Sequence, residues 1–221
     1  MKISKETINI LKSFSQINDS IIFDEPRYLK TKSPGSSSII GIAEIEEEIP
    51  EAAIYSLNNL IASISLFEEE IDYKFTKDYL YLNGDKTKIK FRLSNPDHVQ
   101  MNLKKVADYK KYDDFQCSFT LSKNELINIK KASKIIDANV LKFESDGKVC
   151  KISLINSEMD LSNTYEVEIE EVTGSGSARL FVDNLDIIYG DYDVKISTDK
   201  VVKFTIKNQP NEIFYFISCL V

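Results

Sequence analysis

The chain has 221 residues, a length that fits one large domain or two domains of about 110 residues. Its 43% hydrophobic and 29% charged residues are ordinary for a globular protein, and no apolar run approaches the roughly 20 residues that span a bilayer. The net charge of −7 argues against general nucleic-acid affinity unless basic residues are concentrated on one surface.

The N-terminal segment predicts an amphipathic helix that begins near Ser4. MKISKETINI does not look like a signal peptide, because polar residues interrupt its apolar ones, so we expect a cytoplasmic protein. Steps of four, three and four residues then place polar side chains on one helix face and apolar side chains on another. The polar face consists of Lys5, Asn9, Lys12 and Gln16, and the apolar face contains Ile8, Leu11 and Phe14.

Strand-like segments and a second helix follow the first helix. We predict a strand at residues 38–45, a helix at 55–67 and three strands at 71–76, 79–83 and 88–93. Two Gly/Ser-rich segments, 33–38 and 173–178, lack the Lys-Ser/Thr ending of a phosphate-binding loop and predict mobile loops.

The second half of the chain repeats this order at an offset of 118 residues. Ser4 aligns with Ser122, and Lys12 aligns with Lys130. Strands are predicted at residues 140–145, 148–156, 164–172, 192–198, 201–207 and 213–221, with a short helix at 181–189. Asp146-Gly147 predicts a tight hairpin turn in which both central residues have positive φ. We therefore predict two similar α+β domains, at residues 1–96 and 117–221, joined by a connector at 97–116.

Lysines are concentrated on the two repeated helices. A single lysine-bearing helix face is usually just solvated, but duplication favours a shared function. Acidic residues collect elsewhere, at 44–51, 68–72 and 166–171, so a basic inner face and an acidic outer face would suit a protein that surrounds a polyanion. Lysine contacts phosphate without the fixed geometry of arginine, and such contacts position DNA without reading its sequence.

Two segments resemble a known family. MKISKETINILKSFSQINDSIIF, followed by AAIYSLNNLIASISLF, closely resembles the first and second helical regions of the sliding clamps, the DNA polymerase processivity factors of T-even-type bacteriophages. The connector and the C-terminal third match that family by pattern rather than by residue.

The resemblance implies the DNA clamp fold, with two helices per domain packed on antiparallel sheets and six domains from three chains in a ring around duplex DNA. It implies a protein without catalytic activity or cofactor, which tethers a replicative DNA polymerase in the cytoplasm of an infected bacterium. It further implies an ATP-dependent clamp loader and permits late-transcription factors as partners. The lysines assigned to the DNA-lining surface are Lys5, Lys12, Lys123, Lys130, Lys131 and Lys134. The second helices depart from this pattern, since 55–67 has no basic residue and 181–189 contains Asp183 and Asp186.

The family also implies an apolar pocket that binds partner peptides beneath the connector. The corresponding residues are Val106, Tyr109, Tyr112, Phe216 and Cys219. Residues 213–221 are apolar on both faces, so a core strand is an equally good interpretation of Phe216.

Other functions are less well supported by the residues. His98 is the only histidine and lies in the connector, and the three cysteines have no CxxC spacing, so we expect no catalytic triad and no metal site. Cys117, Cys150 and Cys219 are predicted to be buried free thiols. Two alternatives remain open: a monomeric viral processivity subunit of the same fold with an open basic face, and an unrelated scaffold whose lysines only solvate its helices.

Overall fold

The computed structural model describes residues 2–35, 38–67, 71–99, 103–158 and 163–220. The chain divides into two compact units, Met1–Gly35 with Gly41–Lys110, and Ser36–Ile40 with Lys111–Val221. The predicted connector is therefore divided after Lys110, and its first part contains a short helix. Among the described residues, no helix combines the length and apolar character required to cross a membrane.

The first unit combines three α-helices with short antiparallel strands. Its helices are α1 (Lys5–Ile17), α2 (Leu57–Ile64) and α3 (Val106–Lys110). Its strands are β1 (Ile21–Phe23), β2 (Tyr28–Lys32), β3 (Ile39–Glu44), β4 (Ala52–Ile54), β5 (Asp72–Phe75), β6 (Tyr79–Asn83) and β7 (Lys88–Arg92). The first two residues of β3 belong to the second unit. Strand β1 pairs with β4, β2 neighbours β3, and β5, β6 and β7 form a three-stranded sheet with β7 at one edge.

Helix α1 forms where the apolar spacing predicted it. The side chain of Ser4 caps its first turn by accepting a hydrogen bond from the peptide N–H of Thr7. Ile10, Leu11 and Phe14 are buried against α2 and β2, so the lysines of α1 lie on the opposite, exposed side. Helix α2 is shorter than the predicted 55–67, because Ser56 caps it and it ends at Ile64.

The second unit is built around an eight-stranded antiparallel arrangement and one long helix, α4 (Lys123–Ile135). Its strands are β8 (Phe115–Leu121), β9 (Val140–Asp146), β10 (Cys150–Ile155), β11 (Tyr165–Ile169), β12 (Val172–Phe181), β13 (Tyr192–Ser197), β14 (Val201–Ile206) and β15 (Ile213–Ser218). They lie in the order β11-β10-β9-β12-β8-β13-β14-β15, so β11 is an edge strand. The apolar side of α4, including Leu126 and Ile129, is fully buried.

The predicted second helix of this half is wrong in type. Residues 181–189 contain a 3-10 helix of four residues, Val182–Leu185, and no α-helix. The two repeats are therefore not equivalent at this position.

The predicted turn at Asp146-Gly147 is confirmed in place and corrected in geometry. Gly147 has a φ of +92°, whereas Asp146 does not have positive φ. The Asp146 side chain instead accepts hydrogen bonds from the peptide N–H groups of Lys148 and Val149, at 2.8 and 3.0 Å. A side-chain acceptor thus supplies part of the turn that a second left-handed residue would otherwise make.

The predicted loop at 173–178 is wrong, because these residues belong to β12. Residues Val172–Gly174 pair with β8, and the strand then pairs with β9. Gly174 has a φ of +78°, and a Cβ placed there would lie 2.0 Å from the carbonyl oxygen of Gln116. The small residues that suggest a loop in the sequence therefore permit a close backbone approach inside a sheet. The other Gly/Ser segment, 33–38, lies partly outside the described residues.

Candidate nucleic-acid interface and peptide pocket

The segment between β3 and β4 fixes the start of the first lysine-bearing helix through Glu47. Glu47 accepts hydrogen bonds from the peptide N–H of Ser4 at 2.5 Å and from the hydroxyl of Thr7 at 2.7 Å. Burial raises the pKa of Glu47, but the hydrogen bonds from Thr7 and Ser4 lower it further, and the net pKa is below its ordinary value. The carboxylate therefore stays charged beside the positive end of the helix dipole, which stabilises the start of α1.

Lys5 and Lys12 lie at a groove between α1 and α2. The groove has a volume of about 660 Å³, and both lysines are exposed. Its described lining is Ile3, Lys5, Ile8, Asn9, Lys12, Ile61, Ile64, Ser65, Phe67 and Ile71. Among these described residues, the lysines are the only charged groups, so this part of the first unit presents positive charge over an apolar floor.

The acidic residue that caps helix α4 belongs to the helix itself, whereas the acidic residue at the start of α1 is Glu47, which lies outside that helix. The side chain of Ser122 accepts from the peptide N–H of Glu125, and Glu125 accepts from the peptide N–H of Ser122 at 2.7 Å, which is a capping box. The peptide N–H of Lys123 donates to Asp191 at 2.8 Å. The Lys123 side chain is exposed at this end of the helix.

Lys130, Lys131 and Lys134 lie together at a second groove, of about 600 Å³, between α4 and the 3-10 segment. Asp137, Asp183 and Asp186 line the same groove, so its three lysines face three carboxylates. Lys131 and Lys134 are exposed, whereas the Lys130 side chain is only 17% exposed. The predicted equivalence of the two lysine faces therefore does not extend to their surroundings.

The ammonium group of Lys130 is held by residues of the 3-10 segment. It forms an ion pair with Asp186, donates to the carbonyl oxygen of Leu185 at 3.3 Å, and lies 5.4 Å from the ring centre of Tyr189. Sequence spacing places Lys130 on the correct helix face, but it gives no indication that the charge is already paired.

Of the five residues assigned to the peptide pocket, Tyr112 and Phe216 are in contact. Their rings meet edge to face with centres 5.8 Å apart, and Phe216 is 7% exposed. The hydroxyl of Tyr112 is hydrogen-bonded to Ser197, and Cys219 is partly exposed after the end of β15. In the first unit, Val106 is buried, and Tyr109 accepts a hydrogen bond from the peptide N–H of Lys104 at 3.3 Å.

Two strands with charged faces, β7 and β11, lie at the edges of their described sheets. The sequence places the acidic residues of β11 on an outer face but indicates no role in assembly for either strand. Strand β7 alternates exposed Lys88, Lys90 and Arg92 with half-buried Ile89 and Phe91. Strand β11 alternates exposed Glu166 and Glu168 with half-buried Tyr165, Val167 and Ile169. The alternation itself was visible in the sequence, but the position of each strand at a sheet edge was not.

Two phage proteins are similar to this chain over nearly its whole length. The chain is 26% identical over 211 residues to the sliding clamp of Vibrio phage KVP40, covering 92% of this chain and 94% of the phage protein. It is also 26% identical to the sliding clamp of Escherichia phage RB69, covering 99% of this chain and 96% of that protein. No family model matches the chain.

Solved structures share the fold at low sequence identity. PCNA from A. fulgidus, solved with the C-terminal region of FEN-1 bound, superposes with a TM-score of 0.76 at 9% identity over 97% of this chain and 94% of its own. PCNA from Entamoeba histolytica gives 0.73 at 10% identity, over 97% and 94%. The DNA polymerase III beta chain of Streptococcus pneumoniae gives 0.70 at 13% identity, and this chain covers 64% of it. The predicted clamp fold and the predicted resemblance to phage sliding clamps are both confirmed.

Proposed function

We propose, from the premise that this chain is a member of the sliding-clamp family, that three copies close into a ring around duplex DNA and tether a replicative DNA polymerase. Sliding clamps are processivity factors and not enzymes, so the function to be explained is assembly, DNA retention and partner binding. The observation that best supports a closed assembly is the complementary charge of the two edge strands.

Strands β7 and β11 fit one another as partners from different copies. An edge strand leaves backbone N–H and C=O groups unpaired, and both strands lie at the edges of their described sheets. Pairing them would set Lys88, Lys90 and Arg92 against Glu166 and Glu168 on one face. The half-buried apolar side chains of both strands would then meet on the other face.

This contact joins two different surfaces, so it repeats from copy to copy instead of closing a two-fold dimer. A ring results when the rotation between copies closes. Three chains supply six units, which is the assembly that the phage clamp resemblance implies.

The solution mass tests the assembly. A trimer has three times the 25.3 kDa of one chain, and multi-angle light scattering at micromolar concentration should report that value. Lys90→Glu and Glu168→Lys should each dissociate the ring, and the double variant should restore it. Lys74→Glu, an exposed change on β5 of the same sheet as β7, is the matched control. A wild-type monomer at these concentrations would instead support the monomeric processivity subunit.

The DNA-lining surface is proposed to include Lys5, Lys12, Lys123, Lys131 and Lys134, with Lys130 as a paired and weaker member. Lys12→Glu should leave the trimer intact but reduce loading and processive synthesis, because it places a negative charge at an exposed position of the α1 groove. Lys77→Glu, on an exposed turn away from that groove, should leave synthesis unchanged. Unaltered processivity of Lys12→Glu at moderate salt would contradict the assignment.

Partner peptides are proposed to bind beside Tyr112, Phe216 and Cys219. The support is the edge-to-face aromatic pair of Tyr112 and Phe216, together with the solved PCNA that carries the C-terminal region of FEN-1. For Val106 and Tyr109, the assignment to a peptide pocket stays a prediction from the family resemblance. Tyr112→Ala should weaken binding of the polymerase C-terminal peptide while the trimer mass is unchanged.

The cellular setting follows from the same premise. We place the clamp in the cytoplasm of an infected bacterium, where an ATP-dependent loader opens the ring and late-transcription factors are a further class of partner. Loader-dependent transfer of the clamp onto closed circular duplex is the direct test, and loading without ATP would contradict it.

A further inference from the structure

We infer that Asp186 lowers the affinity of the second unit for DNA, because it pairs with Lys130 and keeps this lysine from contacting phosphates. This inference rests on the proposed function, because it concerns the proposed DNA-lining surface. It assigns a positioning role to an acidic residue on that surface.

The first observation is the direct pairing of the two side chains. Lys130 is ion-paired with Asp186, and its ammonium group also donates to the carbonyl oxygen of Leu185 at 3.3 Å. The Lys130 side chain is 17% exposed, whereas Asp186 is 56% exposed. The negative partner is therefore the one that faces solvent, where a phosphate would approach.

The second observation is the difference between the two grooves. In the first unit, the described lining contains Lys5 and Lys12 as its charged residues. In the second unit, the lining contains three lysines and also Asp137, Asp183 and Asp186. Counting the described residues, the groove of the first unit carries net positive charge, and in the groove of the second unit the positive and negative charges are equal in number.

The third observation is that Lys130 already has a structural role. Leu185 is the last residue of the 3-10 helix, so its carbonyl oxygen lacks an intrahelical partner. Lys130 satisfies that oxygen and lies near the ring of Tyr189. A phosphate contact would have to compete with three neighbouring groups, of which Asp186 alone carries a full opposite charge.

A consequence is that the two units of each chain hold DNA unequally. Phosphate contacts made by the first unit attract the DNA. The groove of the second unit, with as many carboxylates as lysines, limits the total affinity of the chain for DNA. A clamp that must move along DNA benefits from such a limit, because tethering comes from the closed ring and not from affinity.

Asp186→Asn tests the inference in the full chain. Binding to a fluorescent linear duplex is measured by anisotropy between about 50 and 200 mM salt, the range over which phosphate contacts change affinity steeply. We expect binding roughly two- to fivefold tighter than wild type at the lowest salt, as for gain of an exposed ionic contact. The slope of log K against log salt should steepen by about 0.9 for each new phosphate contact.

Two matched variants separate release of Lys130 from a general change in charge. Asp183→Asn removes an acidic group from the same groove, and Asp183 is not the partner of Lys130. Its salt slope should stay close to wild type. The double variant Asp186→Asn with Lys130→Gln should return the slope to the wild-type value, because the released lysine is then absent.

The outcomes distinguish this inference from the proposed function. If wild type binds duplex and Lys12→Glu weakens binding, but Asp186→Asn keeps the wild-type slope or matches Asp183→Asn, the inference is wrong and the proposed function stands. If wild type fails to bind duplex at any salt while forming a trimer, the DNA-lining assignment fails as well. The trimer mass of every variant confirms that the comparison is made on the same assembly.

Discussion

The Nζ atom of Lys30 lies 2.7 Å from Oε1 of Glu25, and the same carboxylate oxygen accepts a hydrogen bond from the peptide N–H of Val106 at 2.9 Å. Lys30 is 1% exposed, yet its ammonium group also reaches Asp24 at 2.9 Å and the carbonyl oxygen of Lys104 at 3.2 Å. Its three donors are therefore all used, which is the condition for burying a charge. The cluster fastens residues 104–106 to β2 within the first unit.

Lys30→Met should destabilise the first unit by about 1–3 kcal/mol, because it leaves the half-buried carboxylate of Glu25 and the more exposed carboxylate of Asp24 without their cation. Urea unfolding at neutral pH measures the loss, and hydrogen exchange should show faster exchange at the amide of Val106. Lys32→Met, two residues along the same strand, is the control, since its side chain is only half-buried. Equal stability of the two variants would show that the Lys30 cluster does not hold this segment.

Glu47→Gln should destabilise α1 by about 1–2 kcal/mol at neutral pH. The carboxylate accepts from Ser4 and Thr7 at the helix N-terminus, and an amide is a weaker acceptor there. Glu46→Gln, an exposed neighbouring change, should have little effect. A wild-type urea midpoint for Glu47→Gln would contradict the capping role.

The same variant makes a prediction about pH. Because the folded-state pKa of Glu47 is lowered, its contribution is fully present above the ordinary value of 4.5 and is lost as the pH falls through the folded pKa. The stability difference between wild type and Glu47→Gln should therefore shrink below about pH 4.5. Urea midpoints measured from neutral to acidic pH give this difference directly, and a constant difference would show that protonation of Glu47 is not involved.

The helix positions that the sequence predicted correctly depend on residues close together in the chain. The apolar spacing and the serines at positions 4 and 122 located α1 and α4, because helix period and capping act over a few residues. The sequence did not predict the burial of Lys30 or the 3-10 geometry of Val182–Leu185. Both involve residues distant in the chain, since Lys30 donates to the carbonyl oxygen of Lys104 and the 3-10 segment is hydrogen-bonded to Asn139 and Lys130. From the sequence, Asp186 was visible as a departure from the basic pattern of the DNA-lining helices. Its pairing with Lys130, 56 positions away, was not.

Gly174→Ala should destabilise the second unit by about 3 kcal/mol or more. A left-handed φ alone costs an alanine roughly 1–2 kcal/mol, and a Cβ 2.0 Å from the carbonyl oxygen of Gln116 adds a backbone clash. Gly35→Ala is the matched control, since Gly35 has a φ of +72° and, among the described residues other than its chain neighbours, no atom lies within 4 Å of the added Cβ. Thermal unfolding should show a much smaller loss for Gly35→Ala, and equal losses would exclude the clash as the cause.

The three cysteines should differ in reactivity according to burial. Cys117 and Cys150 are buried as predicted, whereas Cys219 is partly exposed. Burial raises the pKa of all three thiols, and that of Cys150 rises to about 12 with the nearby Cys117 as a second cause. Because the thiolate is the reactive species, Cys117 and Cys150 should resist a disulfide reagent near pH 8.

Labelling with that reagent should therefore modify one thiol in the native protein, slowly, and all three in urea. Cys219→Ser should remove the native reaction and leave two thiols that react only on unfolding. Rapid native labelling of Cys150 would mean that the strands around it open readily, contrary to its complete burial between β9 and β11.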